Sequence, residues 1–174
     1  MKRMNLKVLL FTAIAFASIG TANAQNNMQI IDVSAIVPSV CIVDVSSEKT
    51  MTFDMTNLGV DTTSDFPATT RLAWRCSAGV TADIEIGPGD SGNQLLRLLD
   101  SGSDTLSYNL YTDVNHTSIW GDGSGSTFTV DAVGTGMAAA NIGFSDVYGL
   151  ILRAAAEVAP PGTYLDTVLV TVDF

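Results

Sequence analysis

Thr167-Val168-Leu169-Val170-Thr171-Val172-Asp173-Phe174 closes the chain, and its side chains alternate in kind. Val168, Val170, Val172 and Phe174 fall on one face; Thr167, Leu169, Thr171 and Asp173 fall on the other. Successive residues of a strand point to opposite faces, so this period of two predicts a strand with one side against a core. The same signature recurs upstream. Thr70, Leu72, Trp74 and Cys76 alternate with Arg71, Ala73 and Arg75; Val80, Ala82, Ile84 and Ile86 alternate with Thr81, Asp83 and Glu85. Leu106, Tyr108 and Leu110 alternate with Ser107, Asn109 and Tyr111. Turns rich in glycine or proline punctuate the strands at residues 87–92, 121–125 and 160–162, where glycine supplies positive φ and proline pre-sets the bend. Only residues 137–140 and 150–158 have helix-forming composition, and the second reads as a strand running into a short helical turn. Short strands separated by turns predict an all-β chain, an antiparallel sandwich or barrel. No repeat, linker or second domain is legible.

The opposite end of the chain sets the compartment. Lys2, Arg3 and Lys7 form a basic head, Val8 to Ile19 an apolar-to-small stretch, and Ala22-Asn23-Ala24 a cleavage signal. This is the layout of a secretory signal peptide over residues 1–24, cut after Ala24. An apolar stretch of about 12 residues falls short of the roughly 20 that span a bilayer, which argues against a retained anchor. Removing 24 of the 174 residues leaves 150, a length that suits one domain with a substantial core. The whole chain carries −10; without Lys2, Arg3 and Lys7 it carries −13, and its cations are Lys49, Arg71, Arg75, Arg97 and Arg153. Such a surface repels phosphate backbones and anionic lipid, so neither nucleic-acid binding nor membrane insertion is expected.

Cys41 and Cys76 are the only cysteines, and an even pair in an exported chain predicts one disulfide. Loop entropy over the 35-residue separation makes it worth roughly 3–4 kcal/mol. With one histidine and paired cysteines, no Cys-His or Ser-His-Asp constellation is available, and neither a metal site nor a cofactor is expected. His116 reads as a surface residue of the polar loop Asp113-Val114-Asn115-His116-Thr117, whose last three residues also fit a glycosylation sequon. Asp122 lacks the alternating acidic ligands of a calcium loop and reads as a turn residue. Trp120 reads as packing rather than a sugar platform. A terminal aromatic such as Phe174 also marks outer-membrane barrels, but those need longer alternating strands and aromatic girdles. An enzyme is not expected.

Residues 25–38 stand apart from the rest. After polar Gln25-Asn26-Asn27, Ile31, Val33, Ala35 and Val37 share one face, Asp32, Ser34 and Ile36 take the other, and Pro38 ends the run. Cys41, Val43 and Val45 then open a second strand. Spacing leaves two readings open: the first strand of its own sandwich, or an arm that completes another. Pro38 provides a break, since proline donates nothing to a ladder and restricts the residue before it. An apolar strand does not stay exposed, because its edge pairs with whatever it meets.

Two further stretches carry a family resemblance. Leu106-Ser107-Tyr108-Asn109-Leu110-Tyr111-Thr112-Asp113, followed by Ile119-Trp120-Gly121-Asp122-Gly123, resembles the spore coat protein U domain, and so does the ending from Pro161-Gly162-Thr163-Tyr164-Leu165-Asp166 to Phe174. That domain is shared by secreted coat proteins and by subunits of archaic (Csu-type) chaperone–usher pili. The chain departs from the family at Arg153-Ala154-Ala155-Ala156-Glu157, where a Pro-Ala-Gly-rich turn is usual, and loops 46–68 and 87–104 match nothing in it. The resemblance implies an immunoglobulin-like β-sandwich over residues 39–174 that lacks its last strand. It also implies an arm over residues 25–38 that fills the gap in a neighbouring subunit. By that implication Ile31, Val33, Ala35 and Val37 are the donor residues, and Val168, Val170, Val172 and Phe174 form one wall of the acceptor groove. The implied partners are other subunits of the same fibre, a periplasmic chaperone and an outer-membrane usher, with the fibre at the cell surface. A minor adhesive subunit and a secreted, self-assembling coat protein are the alternatives, with residues 46–68, 87–104 and 121–126 as candidate contact loops. Burying three β-branched side chains and an alanine contributes about 5–10 kcal/mol. Donor and acceptor surfaces differ, so the contact repeats into an open fibre.

Overall fold

The computed structural model describes residues 28–44 and 50–174. The expected signal peptide over residues 1–24, residues 25–27 and Val45 lie outside the described residues. Val37–Phe174 form one compact unit, and the residues before Val37 belong to a separate one. In that separate stretch residues 28–36 carry no assigned strand, and Ile31 and Val33 are 82% and 89% exposed.

The compact unit is a two-layer antiparallel β-sandwich. Its elements in chain order are β1 (Cys41–Asp44), β2 (Phe66–Cys76), β3 (Thr81–Ile86), β4 (Arg97–Asp100), β5 (Thr105–Tyr111), β6 (Val130–Val133), a 3-10 turn (Ala139–Asn141), β7 (Gly143–Ile151), a single helical turn α1 (Arg153–Ala156) and β8 (Val170–Asp173). One sheet runs β1-β2-β7-β5-β4 and the other β6-β3-β8. The expected alternation sets the layers. Ala82, Ile84 and Ile86 of β3 are buried between exposed or half-buried neighbours, and they meet Leu106, Tyr108 and Leu110 of β5 and Val147 and Ile151 of β7 in one core. Trp120 lies at its centre with no exposed surface and donates its indole N–H to the Ile84 carbonyl at 2.9 Å. The pair of sheets is a sandwich, not the closed barrel that Phe174 raised as an alternative.

Three expectations change. Residues 87–104, read as a loop, contain β4, which pairs with β5 from Arg97↔Tyr108 to Asp100↔Thr105. Residues 46–68 likewise give up Phe66, Pro67 and Ala68 to β2. The alternation over 167–174 is present, yet only Val170–Asp173 join a ladder. Leu165 is taken instead by the other sheet, exchanging hydrogen bonds with Asp100 at 2.8 and 2.9 Å. The C-terminal segment thus leaves one sheet and joins the other within a few residues, which shortens β8.

Two cations that sequence places among surface charges are core residues. Arg97 has no exposed surface, and each of its five N–H bonds meets an acceptor. Nε donates to Gly87 O, Nη1 to Gln94 O and Asn109 Oδ1, and Nη2 to Ile86 O and Trp120 O, at 2.6 to 3.3 Å. Burial pulls its pKa below the ordinary arginine value. Arg153 donates through Nε to Ser64 O at 2.8 Å and stands over the Phe66 ring at 5.0 Å, pinning the start of β2.

Candidate functional site

Each sheet ends in two edge strands, β1 and β4 in the larger and β6 and β8 in the smaller, and β1 and β8 lie together. Among the described residues β1 pairs with β2 alone and β8 with β3 alone. Some Cα atoms of the two strands approach within 8 Å. Two strands flanking a third stand about 9.5 Å apart, so an inserted strand widens this gap.

The backbone phase of both edges is fixed by bonds next to them. Gly87 N–H donates to Leu169 O at 2.8 Å, which turns the main-chain groups of Leu169 toward β3 and, by alternation, those of Val168, Val170 and Val172 toward the open side. Ile86 N–H, directed to Gly121 O, agrees with that phase. On the other wall Ser77 N–H donates to Val40 O at 2.8 Å, so Cys41 and Val43 present their groups to the gap. The Cys41–Cys76 disulfide, predicted from the even pair, joins opposite residues of β1 and β2 and holds this wall in place.

Apolar side chains line the gap without being closed over. Val168, Val170 and Val172 point inward and are only half-buried, as are Cys41 and Val43 from β1 and Leu72 and Trp74 from β2. Leu72 and Trp74 belong to the strand next to the edge, where a complete sandwich buries its inner face. Phe174 lies beyond β8 and is 58% exposed, beside Thr81, Asp83, Asp131 and Asp173. Sequence reasoning missed Met51, Phe53 and Met55, which also alternate inward. Phe53 meets Tyr108 edge-on at 6.0 Å, and Met51 and Phe53 lie against Gly149, where any side chain would collide with them. Their alternation, Met51-Thr52-Phe53-Asp54-Met55, was the available signal.

At the far end of β8 a second cluster holds the crossing segment. The half-buried Asp166 carboxylate accepts from Tyr108 Oη at 2.5 Å, from Asp90 N–H at 2.9 Å and from Thr167 N–H at 2.8 Å. Burial, followed by this hydrogen bond, pushes the Tyr108 phenol well above its ordinary pKa. The other polar residues singled out by the sequence settle as turns. Asp122 accepts from Ser124 N–H at 2.9 Å, and the Asp113 carboxylate accepts from Asn115, Thr117 and Ser118 N–H. His116, at φ 55°, is half-buried against Tyr111 rather than free on the surface. Outward on the three-stranded sheet, Asp83 faces both Asp131 and Asp173 in cross-strand register.

The comparisons with known proteins agree with this architecture. A model of the Spore Coat Protein U domain matches residues 27–171. One chain of the crystal structure of the CsuC-CsuE chaperone-tip adhesion subunit pre-assembly complex, from archaic chaperone-usher Csu pili of Acinetobacter baumannii, aligns with a TM-score of 0.52 and 20% identity. The alignment covers 79% of this chain and 40% of that one, so this chain spans less than half of its length and shares a fold with it. No curated protein sequence matches the chain. The sandwich, its disulfide-held first strand and a family match running from residue 27 into β8 lead to one conclusion: the chain belongs to the Spore Coat Protein U domain family.

Proposed function

We propose that this chain is a structural, non-enzymatic subunit of an extracellular fibre of the archaic chaperone–usher type, polymerising by donor-strand exchange and supporting adhesion and biofilm formation. The observation that carries this is the paired open edge. Strands β1 and β8 turn toward one gap main-chain groups that have no strand partner among the described residues, and inward-facing valines and Trp74 remain half-covered beside it. Strand addition suits such an edge, because main-chain bonds give affinity and alternate side chains fill the apolar floor. The exposed run Ile31, Val33, Ala35, Val37 has the matching alternation, and its exposure in a single chain supports delivery to a neighbour. A periplasmic chaperone and an outer-membrane usher are the corresponding partners, with a chaperone strand holding the edge before assembly. The pilus origin of the structural neighbour supports this assignment.

An unboiled-versus-boiled denaturing gel of the exported protein tests it, beside the double variant Val33→Asp/Val37→Asp. The wild type gives a ladder that collapses to monomer on boiling, and the double variant loses the ladder. Folded monomers in both unboiled lanes would overturn the proposal.

A further inference from the structure

We propose that Asp166 is the positioning residue of the acceptor edge, the group that fixes where the C-terminal segment stops following one sheet and β8 begins in the other. The inference rests on the strand-accepting role proposed above. The segment is gripped on both sides of Asp166. Leu165 exchanges two hydrogen bonds with Asp100, the last residue of β4, and Leu169 O accepts from Gly87 just past the end of β3. Asp166 stands at the crossing. Its carboxylate reaches β5 through Tyr108 Oη, the turn after β3 through Asp90 N–H and its own segment through Thr167 N–H, at 2.5, 2.9 and 2.8 Å. One side chain therefore ties both sheets to the segment that leads into the acceptor strand.

The surroundings are shaped for it. Gly89 has φ +70°, and a Cβ there would collide with the carboxylate, so the turn must carry glycine for two separate reasons. Tyr108 is buried, and Asp166 is the acceptor its hydroxyl requires. The tie matters because β8 has only four ladder residues and half-buried valines facing the gap. A strand that short is weakly specified along its own axis, and a one-residue slip against β3 would turn Val168, Val170 and Val172 outward. The same slip would present the opposite main-chain groups to an incoming strand.

Amide hydrogen exchange on the exported full chain tests this, comparing wild type with Asp166→Ala, Tyr108→Phe and Val147→Ala. The last variant weakens the core away from the joint. Asp166→Ala is expected to speed exchange at Thr171 and Asp173, the β8 amides that face β3, at least ten-fold while β2 and β7 keep wild-type rates, and to shorten the heat-sensitive ladder. Tyr108→Phe moves the same amides by a smaller factor, and decides the matter if Asp166→Ala fails to accumulate. Val147→Ala raises exchange in β2, β5 and β7 together. Wild-type protection at Thr171 and Asp173 in the Asp166 and Tyr108 variants, or a general rise like that of Val147→Ala, overturns the proposal. A wild type without a heat-sensitive ladder sinks the strand-accepting role itself, and the exchange pattern then reports on the joint alone.

Discussion

Replacing Arg97 with lysine keeps the positive charge and a stem of similar length, and removes the planar fork. The fork has five donors, and the structure supplies five acceptors: four main-chain carbonyls, of Ile86, Gly87, Gln94 and Trp120, and the Asn109 amide oxygen. An ammonium has three donors, so at least two of these acceptors lose their partner in a site closed to water. Each buried unsatisfied group costs about 1–3 kcal/mol, which puts Arg97→Lys at about 2–6 kcal/mol. Total stability for a domain of this kind is about 5–15 kcal/mol, so the effect is large.

Urea unfolding followed by tryptophan fluorescence measures it directly. The Trp120 carbonyl accepts one of the fork's hydrogen bonds and its ring sits buried beside it, so the probe lies at the perturbation. With a slope of about 1–3 kcal/mol per molar, the midpoint falls by roughly 1–3 M. Wild type and variant are compared at one protein concentration, so that any assembly contributes alike to both. A midpoint within about 0.3 M of wild type would refute the reasoning, since it would mean the five-bond geometry contributes nothing that a point charge lacks.

Three further outcomes follow from the same structure. Tyr108 holds its proton in the folded chain past the ordinary phenol pKa of 10.0, so the fold binds one more proton than the unfolded chain at higher pH. Stability is therefore complete below pH 10 and declines above it by about 1.4 kcal/mol per pH unit from this group. Tyr108→Phe removes that portion of the slope in an alkaline urea series. Asp83→Asn relieves like charges set directly opposite in β6 and β8; it raises the urea midpoint at low salt, and the gain shrinks as ionic strength rises. Gly149→Val drives a branched side chain into Met51 and Phe53, and circular dichroism should show a thermal midpoint several degrees lower.

The strands whose alternation is uninterrupted were legible from sequence. Val80 to Ile86 and Leu106 to Tyr111 bury the residues their period assigns, and Cys41 with Cys76 pairs as two cysteines in an exported chain should. Trp120 likewise sits in the core. The alternation over 167–174 identified a strand with one apolar face, but not its length. Residues 165–168 satisfy the same period while changing sheets, and periodicity reports facing rather than partner. β4 escaped because Arg97-Leu98-Leu99-Asp100 is four residues long with a charge at an inward position. Composition places an arginine outside; only a fold that brings four carbonyls and an amide oxygen to one point makes it an interior residue. The Asp166 joint was hidden for the same reason, since Tyr108, Asp90 and Asp166 meet only in three dimensions.

The disulfide has a mechanical consequence. Beyond Val37 the chain passes Pro38, whose carbonyl accepts a 3.3 Å bond from Ser77 Oγ, and reaches Cys41 three residues later. In a fibre whose arms are held by neighbours, tension enters each subunit at this point. β1 alone would meet it with a ladder of only four residues. The covalent link passes the load to Cys76, the last residue of β2, whose nine-residue register with β7 runs along the middle of the larger sheet. Force is thus delivered to the longest ladder among the described residues. In such a fibre the subunit would yield there, or at its neighbour's groove, before its own first strand is stripped away.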